Sequence, residues 1–363
     1  MGSAAPSDTR GIHTWLALRG SPQWMGVTNV AVEHATIYDV AERAGVSIST
    51  VSHTLNRPQR VNAVTRQRVL DAIDDLGYVP KATAMAHARK AVGRVGVLAP
   101  FSSYESYGRR LRGILQEAQG DTTEIVLYDQ ESAASATSPL LSALPVARRL
   151  DGLLIMGLPL DDRLAERLLE QGLPTVLVDS DRPEFDSITI DDHAAGYLVG
   201  KHLIDRGHRT FAYLSEAQRS DAYLSQGQLR RSGLRRAATE AGIDPDQVRH
   251  VRTSNDIAGG RAAMQELLAE HRMPDAIFAH QDVLAAGVLL ECKRQGIRVP
   301  DDLAVVGFDD GELAESLDFT TVRQPLEESG RLGFRHFREA INGRRGSARH
   351  VTLGVKLVVR TTT

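Results

Sequence analysis

The sequence predicts an α/β protein: an N-terminal all-α helix-turn-helix head, followed by a larger two-lobed body built on parallel sheets. Three observations predict it. The chain is 363 residues long, which at roughly 150 residues per domain implies two to three domains. Its charge is segregated. Residues 36–90 hold eight basic and five acidic side chains, residues 1–35 balance, and the whole chain is at −3. A small basic head on an acidic body is an asymmetry that accompanies nucleic-acid binding. After Gly93, short apolar runs alternate with amphipathic stretches, the pattern of parallel strands covered by helices on both faces.

Composition narrows the function classes. Hydrophobic residues make up 42% and charged residues 25%, an ordinary soluble globular balance. The one cysteine, Cys292, excludes an internal disulfide framework and a multi-thiolate metal site. No run of 18 apolar residues occurs, so no membrane span is predicted. Residues 1–34 are Gly/Ser/Pro-rich and contain Trp15 and Trp24, but they lack the continuous apolar stretch of a secretory signal. They read as a disordered extension or a mis-assigned start, and the expected location is cytoplasmic.

Residues 35–79 read as the helix-turn-helix domain. Thr36 suits an N-cap, with Asp39 three residues on in a shortened capping box. Ile37, Val40, Ala41 and Ala44 share one helical face, and Gly45 supplies the left-handed stop. Ser47 caps a second helix with Val51 and Leu55 inward, ended by Arg57-Pro58. Asn62 or Thr65 opens a third, with Val64, Val69, Ile73 and Leu76 inward and Gly77 closing it. Three short helices around one core, with a glycine turn between the first two, form a DNA-reading arrangement. Any one of these helices alone is commoner as an ordinary amphipathic helix. The outward face of the second helix tips the balance: Ile48, Ser49, Thr50, Ser52, His53 and Asn56 are small or polar groups able to approach a groove floor.

These residues carry a family resemblance. The run Thr36-Ile-Tyr-Asp-Val-Ala-Glu-Arg-Ala-Gly-Val-Ser-Ile-Ser-Thr-Val-Ser-His-Thr-Leu-Asn56, then Val61, Thr65-Arg66 and Gly77-Tyr-Val-Pro80, resembles the lactose/galactose-repressor (LacI/GalR) family of transcription factors. The resemblance covers about residues 35–360. It implies that Ile48, Ser49 and His53 choose bases in the major groove. It also implies that Thr36, Tyr38, Ser47, Thr50, Ser52, Asn56, Arg60 and Thr65 hold phosphates. That division is physically sensible, because phosphate contacts fix register and groove-facing groups carry sequence information.

Residues 80–92 lie between head and body. Pro80 suits a first helical turn and the alanines favour helix, yet so short a segment is marginal alone. It is either a plain linker or, as the resemblance implies, a hinge helix that enters the minor groove, with Lys81, Ala84 and His87 facing DNA. The family places a leucine wedge where His87 stands. An imidazole is smaller and polar, so apolar insertion falls to Ala84, Met85 and Ala88, or the operator is bent less.

The body is residues 93–363, in two lobes of approximately 93–190 plus 325–350 and 191–324 plus 351–363. Expected strands are Val95–Phe101, Glu124–Asp129, Gly152–Met156, Thr175–Asp179, Ser187–Asp191, Thr210–Leu214, Ala276–His280 and Leu303–Gly307. Expected helices are Tyr104–Ala118, Asp161–Gln171, Ala194–Arg206, Gly227–Ala241, Gly259–His271 and Leu284–Gln295. Ligands in such folds bind at the carboxyl ends of strands, which between two lobes face a shared cleft. The resemblance continues through Gly172-Leu-Pro-Thr-Val-Leu-Val-Asp179, Gly207-His-Arg209, Arg230-x-x-Gly233, Val305-Val-Gly-Phe-Asp-Asp310 and Thr320-Thr-Val-Arg-Gln-Pro325. It implies an effector domain related to periplasmic sugar-binding proteins, with Asp179, Arg230, Gln281 and Asp309 lining the cleft. Phe101, Tyr104 and Tyr107 would form one wall. A carboxylate and an arginine suit sugar hydroxyls, and an aromatic ring suits the apolar face of a pyranose; the competing reading is a structural ion pair of Asp309 with Arg230. The chain departs from the family at His280-Gln281-Asp282, where Asn-Asp is common, and at Asp192, where asparagine is frequent.

Enzymatic readings find little support. There is no GxSxG elbow and no HExxH. Gly196-Tyr-Leu-Val-Gly-Lys-His202 resembles a phosphate-binding loop but is one residue short between its glycines and lacks Ser/Thr after the lysine. His202 and His208 are six apart, wrong for one helical face and for a metal pair. No catalytic residue, metal or cofactor is expected. The reading is a repressor that binds a palindromic operator as a homodimer, with a small carbohydrate as effector. The alternatives are a solute-binding protein or a sugar-active enzyme with a vestigial head.

Overall fold

The computed structural model describes residues 35–78, 93–121, 123–130, 150–218, 224–270, 273–343 and 346–363. The expected N-terminal extension and the hinge at 80–92 lie outside them.

In the head, α1 (Ile37–Ala44), α2 (Ile48–Asn56) and α3 (Ala63–Leu76) enclose a small core. The caps are those the residues dictate. Thr36 and Asp39 form the reciprocal capping box, and Gly45 closes α1 at φ 63°. Ser47 caps α2, Asn62 rather than Thr65 caps α3, and Gly77 ends α3 at φ 58°. Val40, Val51, Val69 and Leu70 are fully buried. Two expectations fail. Val64 is 73% exposed, because it sits in the first turn of α3, before the helix reaches the core. Thr54, not only Leu55, fills the inner face of α2: it is fully buried, its hydroxyl donating to the Thr50 carbonyl at 2.9 Å.

The body has two six-stranded sheets. The first runs β11-β5-β4-β3-β1-β2 and is wholly parallel. Its strands are β1 (Arg94–Ala99), β2 (Glu124–Asp129), β3 (Gly152–Met156), β4 (Thr175–Val178), β5 (Asp186–Ile190) and β11 (His350–Leu353). The second runs β12-β10-β9-β8-β6-β7 and is parallel except for its edge strand β12. It comprises β6 (Phe211–Ser215), β7 (Val248–Arg252), β8 (Ala276–Ala279), β9 (Ala304–Asp309), β10 (Thr320–Arg323) and β12 (Lys356–Val358). The connecting helices are α4 (Glu105–Glu117), α5 (Asp162–Glu170), α6 (Asp192–Asp205), α7 (Gln226–Glu240), α8 (Ile257–Ala269), α9 (Asp282–Gln295), α10 (Glu312–Ser316) and α11 (Leu326–Ile341).

The chain passes between the sheets three times. β5 leads to α6 of the second lobe, Gln324-Pro325 leads back to α11, and Gly354-Val355 leads from β11 to β12. The last passage therefore falls after Leu353, not at residue 351. Apolar clusters cover both faces of each sheet, as buried parallel strands require. Cys292 belongs to one of them; burial pushes its thiol up to about 11, which suits packing rather than nucleophilic attack.

Head and body touch through charge. Arg167 of α5, nearly buried, donates Nε to Asp74 of α3 at 2.8 Å. Its Nη2 and the Arg163 guanidinium both meet Asp71.

Candidate DNA-reading face and effector cleft

The DNA-reading candidates are displayed by what lies beneath them. Val51 and Thr54 anchor α2 inward, so Ile48, Ser49 and His53 emerge on the solvent side. Ile48 is 40% exposed and Tyr38 67% exposed, an unusual placement for apolar bulk without a partner. Ser47 Oγ holds the start of the helix through Thr50 N at 3.2 Å and the hydroxyls of Ser49 and Thr50 at 2.8 Å each. Thr36, Ser47 and Arg60 are exposed, while Thr50, Ser52 and Thr65 are half-buried. Asn56 is the last residue of α2. Lys81, Ala84 and His87 lie outside the described residues.

The cleft between the lobes gathers most of the body candidates. Tyr104, Tyr107, Asp179, Arg230, Gln281 and Asp309 all line it. Phe101 does not: it packs on the first-lobe core instead. Asp179 follows β4 at φ 56° and Asp309 ends β9 at φ 114°. Both are left-handed backbone conformations unusual for a side-chain-bearing residue, and such strain clusters at functional sites. Tyr104 and Tyr107 meet edge to face, with centroids 6.0 Å apart. The Tyr107 ring occupies the place where a side chain on Gly157 would stand.

Both arginines that line the cleft pair with carboxylates, Arg110 with Asp179 and Arg230 with Asp192. Arg230 does not pair with Asp309. It donates Nε to Asp192 at 2.7 Å and Nη1 to the His280 carbonyl at 2.9 Å. Its guanidinium carbon lies 3.4 Å from the centre of the Phe308 ring. Asp309 instead accepts from the Gln324 amide. Burial pushes the carboxyls of Asp192 and Asp309 up to about 6, against the pull of Arg230 on each. His280 accepts or donates at Nδ1 with Tyr213 Oη at 3.1 Å, and burial holds it well below the usual imidazole range.

Several contacts bridge the lobes. Gln226 donates to the Asp179 carbonyl at 2.7 Å, and Asn255, held in its own lobe by Gln281, donates to the Ser103 carbonyl at 3.2 Å. Arg109 of α4 reaches the carbonyls of Asp309 and Asp310 at 3.0 and 3.2 Å, its other edge held by Glu327. Sequence reasoning missed Arg109, Arg110, Gln226 and Gln324. Arg110 had a signal: it falls between Tyr107 and Ile114 on the inward stripe of α4, where a charge has to be paired.

One cluster looks enzymatic and is not arranged to be. Ser187, His350 and Asp181 meet, but the same His350 Nδ1 lies 2.9 Å from both the serine and the carboxylate. The imidazole therefore cannot relay a proton between them as a triad histidine does with its two nitrogens. Among the described residues no group of three or more His, Cys, Asp or Glu side chains is placed to hold a metal ion.

Comparison with known proteins agrees with the two-part architecture. Residues 36–81 match the family described as bacterial regulatory proteins, lacI family, and residues 201–363 match a periplasmic binding protein-like domain. The transcriptional regulator DegA of Bacillus subtilis is 31% identical over 90% of this chain and 98% of its own length. The transcriptional repressor PurR of Edwardsiella ictaluri is 31% identical over 90% of this chain and 96% of its own. A complex of the regulator CelR with cellobiose superposes with a TM-score of 0.67 at 28% identity, covering 91% of this chain and all of that one. The lac repressor dimer bound to operator and an anti-inducer gives 0.65 at 27% identity, over 90% and 98%. With an exposed second helix in the head, two sheet lobes around a polar cleft, and relatives aligned over nearly their whole length, the chain belongs to the LacI family of bacterial regulatory proteins.

Proposed function

We propose that the chain is a repressor that binds a palindromic operator as a homodimer, its grip governed by a small carbohydrate held between the lobes. The observation that carries this reading is the joining of two surfaces in one chain. One is a helix displaying Ile48, Ser49 and His53 over a buried anchor. The other is a cleft where Arg230, Asp179 and Asp309 stand beside Tyr104 and Tyr107. A single head reads too few base pairs for useful selectivity, whereas two related by a two-fold axis read half-sites about one helical turn apart.

In this mechanism Ile48, Ser49 and His53 read base edges, while Thr36, Tyr38, Ser47, Thr50, Ser52, Asn56, Arg60 and Thr65 fix the head on the backbone. Lys81, Ala84 and His87 would extend the contact toward the minor groove. In the body, hydroxyl groups of the effector replace some of the bridges that Gln226, Asn255 and Arg109 make across the lobes. Effector binding thereby changes the lobe arrangement on which the heads are mounted. The excess of basic over acidic side chains in the head suits approach to the DNA polyanion.

The test is a gel shift on DNA upstream of the protein's own coding region, repeated with a panel of sugars. Retarded bands that at least one sugar weakens or strengthens support the reading. Tight sugar binding with no preference for any DNA would favour a solute-binding role, and sugar consumption during the assay would favour an enzyme.

A further inference from the structure

The first lobe repeats the device that carries Arg230 in the second. Arg110-Leu-Arg-Gly113 on α4 matches Arg230-Arg-Ser-Gly233 on α7. In each helix the glycine lies against the backbone of a neighbouring helix. A Cβ on Gly113 would stand 1.9 Å from the Glu327 carbonyl oxygen, and one on Gly233 2.0 Å from that of His193. In each helix the arginine's own carbonyl faces a neighbour's glycine: Gly330 against Arg110, Gly196 against Arg230. Contacts this close leave the helices no freedom to slide or rotate. Both guanidiniums are therefore delivered into the cleft by one geometry, from opposite walls. They are 2% and 4% exposed, and each pairs with a carboxylate of its own lobe, Arg110 with Asp179 and Arg230 with Asp192.

The two arginines differ in how far their donors are satisfied. Both lie on an aromatic ring, Arg110 on Tyr107 and Arg230 on Phe308, but Arg230 also gives Nη1 to the His280 carbonyl. Arg110 gives Nη2 to Asp179 and Gln324, while its Nε and Nη1 have no partner. A buried donor left unmade costs about 1–3 kcal/mol, more when it is charged. Packed apolar side chains would hold α4 at least as well as a half-satisfied ion pair. The free donors therefore point to a ligand.

Resting on the effector cleft proposed above, we propose that Arg110 contacts the effector directly. Arg110–Asp179 and Arg230–Asp192 then each grip one vicinal diol, on opposite edges of a single neutral, monosaccharide-sized polyol. A hydroxyl can give its proton to the carboxylate and accept an N–H from the guanidinium beside it, so an Arg–Asp pair matches a pair of adjacent hydroxyls. A carboxylate ligand can only accept, and the cleft already holds Asp179, Glu216 and Asp309 against two guanidiniums. The ligand class is thus a hexose or cyclitol with free diols on two edges, not a sugar acid and not a flat heteroaromatic base.

Titration calorimetry on the full chain tests this with D-glucose, D-galactose, D-mannose and myo-inositol, the matching uronic acids, and adenine. The tightest neutral ligand is then measured against Arg110→Met, Arg230→Met and its own monodeoxy analogues. Both variants are expected to weaken binding by about tenfold or more, as are deoxy analogues at two opposite edges. If Arg230→Met weakens binding while Arg110→Met stays within about twofold of the parent, the Arg110 assignment is wrong although the cleft still binds. A uronic acid or adenine binding more tightly than every neutral polyol overturns the diol assignment. If no neutral polyol binds, the cleft reading fails together with this inference. Should Arg110→Met not fold, the deoxy series on the unaltered chain decides: losses confined to one edge overturn the proposal.

Discussion

His53 stands exposed on α2, between residues 51 and 54 that are fully buried, so its direction is set by the core beneath it. Its replacement by alanine should cost about 1–3 kcal/mol at one base pair per half-site and relax preference there. Binding to a set of single-base operator variants measures this, and a loss equal on all sequences would make His53 a backbone contact. Arg60 should behave the other way, with a uniform loss and a shallower dependence on salt. In the cleft, Asp309 gives a pH prediction. Burial raises its carboxyl to about 6 from an ordinary 3.8, so between these values the folded chain binds more protons than the unfolded one. Its contribution to stability then falls as pH rises through that window and is constant above it. Asp309→Asn keeps an acceptor for the Gln324 amide and removes the charge. Its stability relative to the parent should rise by up to roughly 3 kcal/mol between pH 4 and 7, read by urea denaturation across that range. A pH-independent difference would show that the carboxyl is not buried as described.

At the scale of elements, close helix packing makes the sharpest demand. α7 lies on α6 through Gly233 and Gly196, and α4 lies on α11 through Gly113 and Gly330, each within about 2 Å of a neighbouring carbonyl if a Cβ is added. Gly233→Ala should therefore destabilise by about 1–3 kcal/mol, measurable by denaturant unfolding; an unchanged midpoint would mean the helices stand further apart. Much of this level was legible in the sequence. The head helices announce themselves by caps at Thr36, Ser47 and Asn62 and by left-handed glycines at 45 and 77, because these groups have few alternatives. The first strands of both sheets are continuous apolar runs. What escaped has physical reasons. β11 and β12 are short and half-exposed, and β7 carries Arg249, His250 and Arg252, so neither pattern looks buried. α11 begins just after Pro325 and mixes Gly, His and Arg among its apolar residues. Val64 fits the helical stripe but precedes the core. Arg110 looks like a solvated charge until its partners Asp179 and Gln324, remote in sequence, are brought beside it.

For the molecule as a whole, the question is how cleft and head are joined. The described residues include one direct charged contact, Arg163 and Arg167 of α5 with Asp71 and Asp74 of α3. Arg167 is nearly buried there, so removing both aspartates strands its guanidinium, and Asp71→Ala with Asp74→Ala should lower the stability of the docked head by about 1–3 kcal/mol. Hydrogen exchange in α3 reads this directly; unchanged protection would mean the head stands independently of α5. Residue and element together serve one thermodynamic link between operator and effector. Linkage requires that each change the other's affinity by the same factor, typically 5–150-fold. The decisive measurement is calorimetric: the affinity of a binding sugar for the dimer alone and for the dimer saturated with operator. A ratio that equals the change in operator affinity caused by that sugar is the predicted result. Equal sugar affinity with and without operator, or no preference for a palindrome over random duplex, would contradict the account.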